Sequence, residues 1–176
     1  MSLDDEFGRP RTPQSVDPWE FRRYPLSKCI LTDEVGESLR ALRKVCSSQL
    51  LRHAARTLTY IWAMDKAGVV HFAVEELAET VDGITVEGYP RRRNFLVHPA
   101  EEKKLGHPTL LDGGEARVAG EFFLDNKAGT LFWFVNVGSG RYCQLTPPTT
   151  DQVENVLRLF RQKVEDEVLL DDISKI

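Results

Sequence analysis

The chain has 176 residues, of which 41% are hydrophobic and 28% charged. This suits one soluble domain with a real core and argues against a stapled mini-protein. A net charge of −4 argues against a general nucleic-acid binder, no apolar run reaches membrane-spanning length, and Cys29, Cys46 and Cys143 are too scattered for a zinc ribbon or a disulfide framework, so a reducing, cytoplasmic setting is expected.

Residues 1–18, with three prolines and an acidic, polar start that lacks a signal-peptide core, read as a mobile arm before a single globular domain over 19–170. The first helix is capped by Thr32 or Asp33, and its apolar stripe runs through Val35, Leu39, Leu42, Cys46 and Leu50. Arg40, Arg43 and Lys44 fall on the opposite face and read as a solvated surface.

The period then changes to that of strands. "TLTYIWAM", "DKAG" and "VVHFAVEE" predict a hairpin, and "ARVAGEFFLD", "NKAG" and "TLFWFVN" predict another. The shared Lys-Ala-Gly is read as a recurring glycine turn in preference to an internal duplication. Between the hairpins, "GITVEGYP" and "NFLVHP" are short strands and loops. Arg91, Arg92 and Arg93 are read as an exposed edge that discourages aggregation, with a phosphate-bearing ligand as the alternative. The last helix follows two prolines. Thr149 with Gln152, or Asp151 with Glu154, forms its capping box, and Val153, Val156, Leu157, Phe160, Val164 and Val168 form its apolar face. The tail "LLDDISKI" is read as a fraying terminus, docking on a partner being the alternative. The fold class expected is α+β, an antiparallel sheet built from hairpins with one helix before it and a C-terminal helix packed on it.

Four-residue turns fix an expected register. In the second hairpin Asp125 faces Thr130, which puts Val118, Gly120, Phe122 and Leu124 on one apolar face with Leu131, Trp133, Val135 and Val137. The reverse face carries Arg117, Ala119, Glu121 and Phe123 against Phe132, Phe134 and Asn136. That mixture suits a ligand pocket, or a helix-covered face in which Arg117 pairs with Glu121. In the first hairpin the same rule sets Trp62 opposite His71, a secondary candidate platform. The "DGG" at 112–114 is a turn. A phosphate loop would need a following lysine, a hydroxyl residue and a helix, and a strand follows here.

The stretches "GHPTLLDGGEARVAGEFFLD", "GTLFWFVNVGSGRY" and "TPPTTDQVENVLRLF" resemble a module shared by plant IQ-motif calmodulin-binding proteins and assorted bacterial proteins. Its blocks are G-H-S-S-F-L-x-G, A-A-G-E, N-x-S-G-H-Y and a threonine-led helix, matched over roughly residues 58–163 together with "WAMDKAGVVHFAVEE". Pro108 stands for the first serine and Arg141 for the second histidine. The IQ helix has no counterpart, so calmodulin binding does not carry over. The resemblance implies a shared fold and directs attention to His107, Glu121, Asn136, Ser139, Arg141 and Tyr142.

Three functions are expected to compete. The first is a binding module, without catalysis, that uses the mixed face around Glu121 and the Gly138–Tyr142 loop. Its candidate residues are His107, Arg117, Glu121, Asn136, Ser139, Arg141 and Tyr142, its ligand or protein partner is unspecified, and no cofactor is implied. The second is a transferase or hydrolase acting on a nucleotide-like molecule, with His107, Glu121 and Tyr142 as acid–base groups and Arg117 or Arg141 as anion binders. The set resembles that of diphtheria-type ADP-ribosyltransferases, although the chain order here is His, Glu, Tyr. The third is an immunity-type inhibitor with an acidic surface. Ser139 lacks the spacing of a nucleophile elbow, and His98 and His107 lack a third metal ligand nearby.

Overall fold

The computed structural model describes residues 2–21, 23–81, 84–91 and 103–171. The helices are α1 (Leu3–Phe7), α2 (Asp33–Val45), α3 (Gln49–Ala55), α4 (His107–Leu110) and α5 (Thr150–Lys163). The strands are β1 (Cys29–Ile30), β2 (Tyr60–Met64), β3 (Val70–Val74), β4 (Glu76–Val81), β5 (Ile84–Pro90), β6 (Lys104–Leu105), β7 (Val118–Lys127), β8 (Thr130–Val135) and β9 (Leu169–Leu170). A six-stranded sheet runs β1-β3-β2-β7-β8-β9, antiparallel except for the parallel β8–β9 pair, and a three-stranded antiparallel sheet runs β5-β4-β6. The class is α+β, as the alternation of periods predicts. Among the described residues no helix is long and apolar enough to cross a membrane.

The core lies on the face of the large sheet that carries Trp62, Phe72, Phe122, Trp133 and Val135. Phe160 of α5 closes it, with its ring 5.1 Å from both Trp62 and Phe122, and Phe122 stacks on Trp133 at 4.6 Å. α5 starts at the Thr149–Gln152 capping box, and Val156, Phe160, Val164 and Val168 of its predicted stripe are buried. α2 is capped by the Thr32 hydroxyl and buries Leu39. The stripe ends at Cys46, because Ser48 caps a separate helix, α3, on which Leu50 is 80% exposed. Arg40 and Arg43 are not merely solvated. Arg40 donates to the Val164 carbonyl, and Arg43 pairs with Glu165 and Glu167 beyond α5.

Residues 2–20 are docked, where the sequence suggested a mobile arm. Ser2 and Asp5 form a capping box, Phe7 is buried, and Asn155 of α5 donates to the Glu6 carbonyl. Three prolines did not prevent this, because the packing is made by one short helix and by side chains reaching in from the domain. The tail begins with β9, whose backbone pairs with Phe134 and Val135. Arg91 is ion-paired with buried Glu75. Arg92, Arg93, His98 and residues 172–176 lie outside the described residues.

Both hairpins differ from four-residue turns. In the second, Lys127 faces Thr130 and the loop is Ala128–Gly129, with φ of 51° and 87°. This moves each pair by two residues and leaves the faces as expected. In the first, Met64 faces Val70 across a five-residue loop. The odd shift exchanges faces, so Trp62 lies opposite Phe72 in the core, whereas His71 lies opposite Ala63 on the other face, its Nε2 3.2 Å from Asp65.

Candidate functional site

Three segments meet at the β7 backbone around Gly120. A Cβ placed on Gly120 would stand 1.9 Å from the Asn136 carbonyl oxygen, so the close approach of the chain after β8 requires glycine. The sequence places Gly120 only on the apolar face of the hairpin; the structure shows that its nearest neighbour there is backbone.

α4 delivers His107 to the same place. Its Nε2 lies 2.9 Å from the Gly120 carbonyl, which can only accept, so Nε2 carries the proton. Burial holds its pKa down at about 4, and the ring is neutral at physiological pH. The Asn136 amide oxygen accepts from the backbone N–H of Glu121 at 2.9 Å and of Gly138 at 3.1 Å, which turns the chain out of β8. Ser139 is buried, its N–H reaches the Ala119 carbonyl, and its own carbonyl accepts from Tyr142 and Cys143. The Tyr142 hydroxyl donates to the Gly114 carbonyl at 2.7 Å, and burial pushes its pKa up. The glycine-histidine stretch, the Ala-Gly-Glu strand and the Asn-to-Tyr loop are thus joined by polar groups that mostly end on backbone.

The two arginines are committed elsewhere. Arg117 is 8% exposed. It donates to the carbonyls of Lys66 and Gly8 and pairs with Asp4, so its carboxylate is on α1 and not the expected Glu121. Arg141 holds the N-terminal segment through the Ser15 carbonyl, Asp17 and Glu20. Glu121 is half-buried on the reverse face, beside the stacked rings of Phe123 and Phe134. His107 and Tyr142, offered as acid–base groups, each spend a proton on a carbonyl, and Trp62 and His71 are on opposite faces.

A cavity of about 530 Å³ opens beside this framework. Its walls include Val137, Ser139, Cys143, Pro147, Pro148 and Val153, and Leu170 and Asp171 close one side. The walls are mainly apolar, and among the described residues Asp171 supplies their one carboxylate, with the Asn136 amide nitrogen 3.4 Å from it. Burial pushes the Cys143 thiol up, which keeps it neutral. Glu121 and His107 do not line this cavity. Among the described residues no three of His, Cys, Asp and Glu are grouped to hold a metal ion.

The sequence reading found the loop but missed Cys143, Asp171 and the two prolines as walls. Nothing in their spacing places β9 beside β8. It also missed Glu20, which is 2% exposed and accepts from the Gly106 N–H at 3.0 Å and the Asp17 N–H at 2.7 Å. The Asp17-x-x-Glu20 spacing, which lets a side chain reach back to an N–H, was the available signal.

No family model, curated protein or solved structure matches the chain. Function therefore has to be argued from the site itself.

Proposed function

We propose that the protein is a binding module whose ligand occupies the cavity beside the Gly138–Tyr142 loop. The observation that carries this reading is the cavity itself. Its volume lies in the range of small-molecule sites, and among the described residues its mainly apolar walls carry one carboxylate, that of Asp171. That lining suits a mainly apolar small molecule with one cationic or hydrogen-bond-donating group directed at Asp171. A catalytic role for His107 and Tyr142 draws no support from their geometry, since both protons are directed at carbonyl oxygens. The resemblance to the module of plant IQ-motif and bacterial proteins remains part of the proposal. Its motif positions are those that join the loop to β7, and in this reading they position the cavity without lining most of it.

Thermal-shift screening against nucleotides, metabolites and aromatic amines tests the proposal. The expected hit stabilises the parent protein and Glu121→Gln but not Asp171→Asn. A hit that survives in Asp171→Asn and disappears in Glu121→Gln would move the site to the mixed face. No hit would sink the small-molecule reading.

A further inference from the structure

Residues 38–64 contain Arg40, Arg43, Lys44, Arg52 and Arg56 and no Asp or Glu, in a chain whose net charge is −4. The structure divides these cations into two groups. Arg40 is spent on the carbonyl after α5, Arg43 on Glu165 and Glu167, and Arg56 on Asp125. Lys44 and Arg52 have no carboxylate partner among the described residues. Arg52 donates through Nη2 to the Ser47 carbonyl, while its Nε is buried without an acceptor.

The same corner exposes apolar side chains. Val45 at the end of α2 is 56% exposed, and Leu50 and Leu51 at the start of α3 are 80% and 45% exposed. Three large hydrophobic residues within seven positions exceed the scatter expected on a monomer's surface. Between the helices lies a cleft of about 670 Å³, walled by Leu42, Val45, Cys46, Leu51, Ala55 and Leu58. It is an apolar concavity, while Arg52 lines a separate polar depression with Ser47, Gln49, His53 and Arg56, and Lys44 precedes the cleft residue Val45 in the chain.

We propose that the α2–α3 corner is a docking surface for an acidic amphipathic helix of a partner protein. Leucine-like side chains repeating every three or four residues along such a helix fill the cleft, and its flanking carboxylates meet Lys44 and Arg52. Charge complementarity selects this occupant. A short acidic peptide feels only the basic corner, because charges more than about 8 Å away are screened at physiological salt. An anionic bilayer extends past the corner to the acid-rich remainder of the chain, and a flat surface offers nothing to fill the cleft.

The test uses a fluorescein-labelled peptide of about fourteen residues, built from Leu and Glu with Leu at helical spacing, read by fluorescence anisotropy on the full chain. Saturable binding is expected, weakened by about tenfold in Leu51→Ser and in Arg52→Glu and weakened further by salt. Leu51 is exposed and Arg52 half-buried, and an unchanged far-UV circular dichroism spectrum shows that the variants fold. The matching Leu and Lys peptide is expected not to bind. Absence of saturable binding, equal binding of the two peptides, or indifference to both substitutions would overturn the proposal. So would co-sedimentation with phosphatidylserine vesicles in preference to peptide binding.

Discussion

The tip of the first hairpin reads Asp65-Lys66-Ala67-Gly68-Val69, and that of the second reads Asn126-Lys127-Ala128-Gly129-Thr130. The same Lys-Ala-Gly forms a five-residue loop in one and a two-residue loop in the other. In the first, a single Asp65 oxygen accepts the amides of Ala67 at 2.8 Å and Val69 at 2.9 Å, while the carbonyl of Lys66 receives Arg117. That carboxylate holds the wide loop open, and the core grips it from below. In the second, Asp125 is drawn aside to Arg56, the strands pair through to Lys127 and Thr130, and a Cβ on Gly129 would meet nothing within 4 Å. Turn length here follows the position of an acceptor side chain and the docking of the tip, and the glycine serves either outcome.

The largest expected effect comes from the far end of the second hairpin. Gly120→Ala places a methyl against the Asn136 carbonyl, where neither backbone can retreat without giving up the pairing of β7 with β2. A loss of at least about 3 kcal/mol, or failure to fold, is expected in urea unfolding. A loss below about 1 kcal/mol would show that the close approach is not needed.

Acid acts on the same glycine through His107, which bonds its carbonyl. Its folded pKa of about 4 lies below the ordinary 6.5, so the unfolded chain takes up the proton first. The contribution is therefore fully present above pH 6.5 and is lost as pH falls from there through 4, about 3 kcal/mol in all. Unfolding midpoints between pH 7.5 and 4.5 should show that slope, and His107→Gln should flatten it. Parallel slopes in the two proteins would assign the acid lability to other groups.

Asp65→Ala removes the acceptor of both loop amides and the partner of His71. About 1 to 2 kcal/mol should be lost, with amide exchange accelerating at Ala67 and Val69. Unchanged exchange there would mean that Arg117 alone sets the loop. The smallest effect sharpens the contrast from the other side. Ala128 holds a φ of 51°, so Ala128→Gly should relieve strain and cost little, a gain of a few tenths to about 1 kcal/mol in thermal unfolding. A loss would argue against the two-residue turn.

These residues also explain how far the sequence was legible. The core face of the second hairpin was readable because an error of two residues preserves side-chain alternation. Trp62 and His71 were misplaced because an error of one residue inverts it. α5 was readable from Thr149 onward, since cap, stripe and prolines agree on one start. The site was half legible. The His107, Asn136 and Tyr142 stretches do converge, but the cavity wall needs Asp171, and a two-residue parallel pairing leaves no periodic trace. Arg117 and Arg141 looked like anion binders because their carboxylates lie more than a hundred positions away, on Asp4 and Asp17.

The docking of residues 2–20 has a consequence for the order of assembly. Glu6 finds its partners on Asn155 and Arg158, and Arg117 and Arg141 close on Asp4 and Asp17, so residues 4–17 cannot settle before α5 and the loop ahead of it are in place. Such distant closures come late and slow the final step. Until then Phe7 is uncovered and the loop beside the cavity lacks its brace. The segment over residues 2–20 and the Gly138–Tyr142 loop thus reach their final arrangement only after α5 has packed.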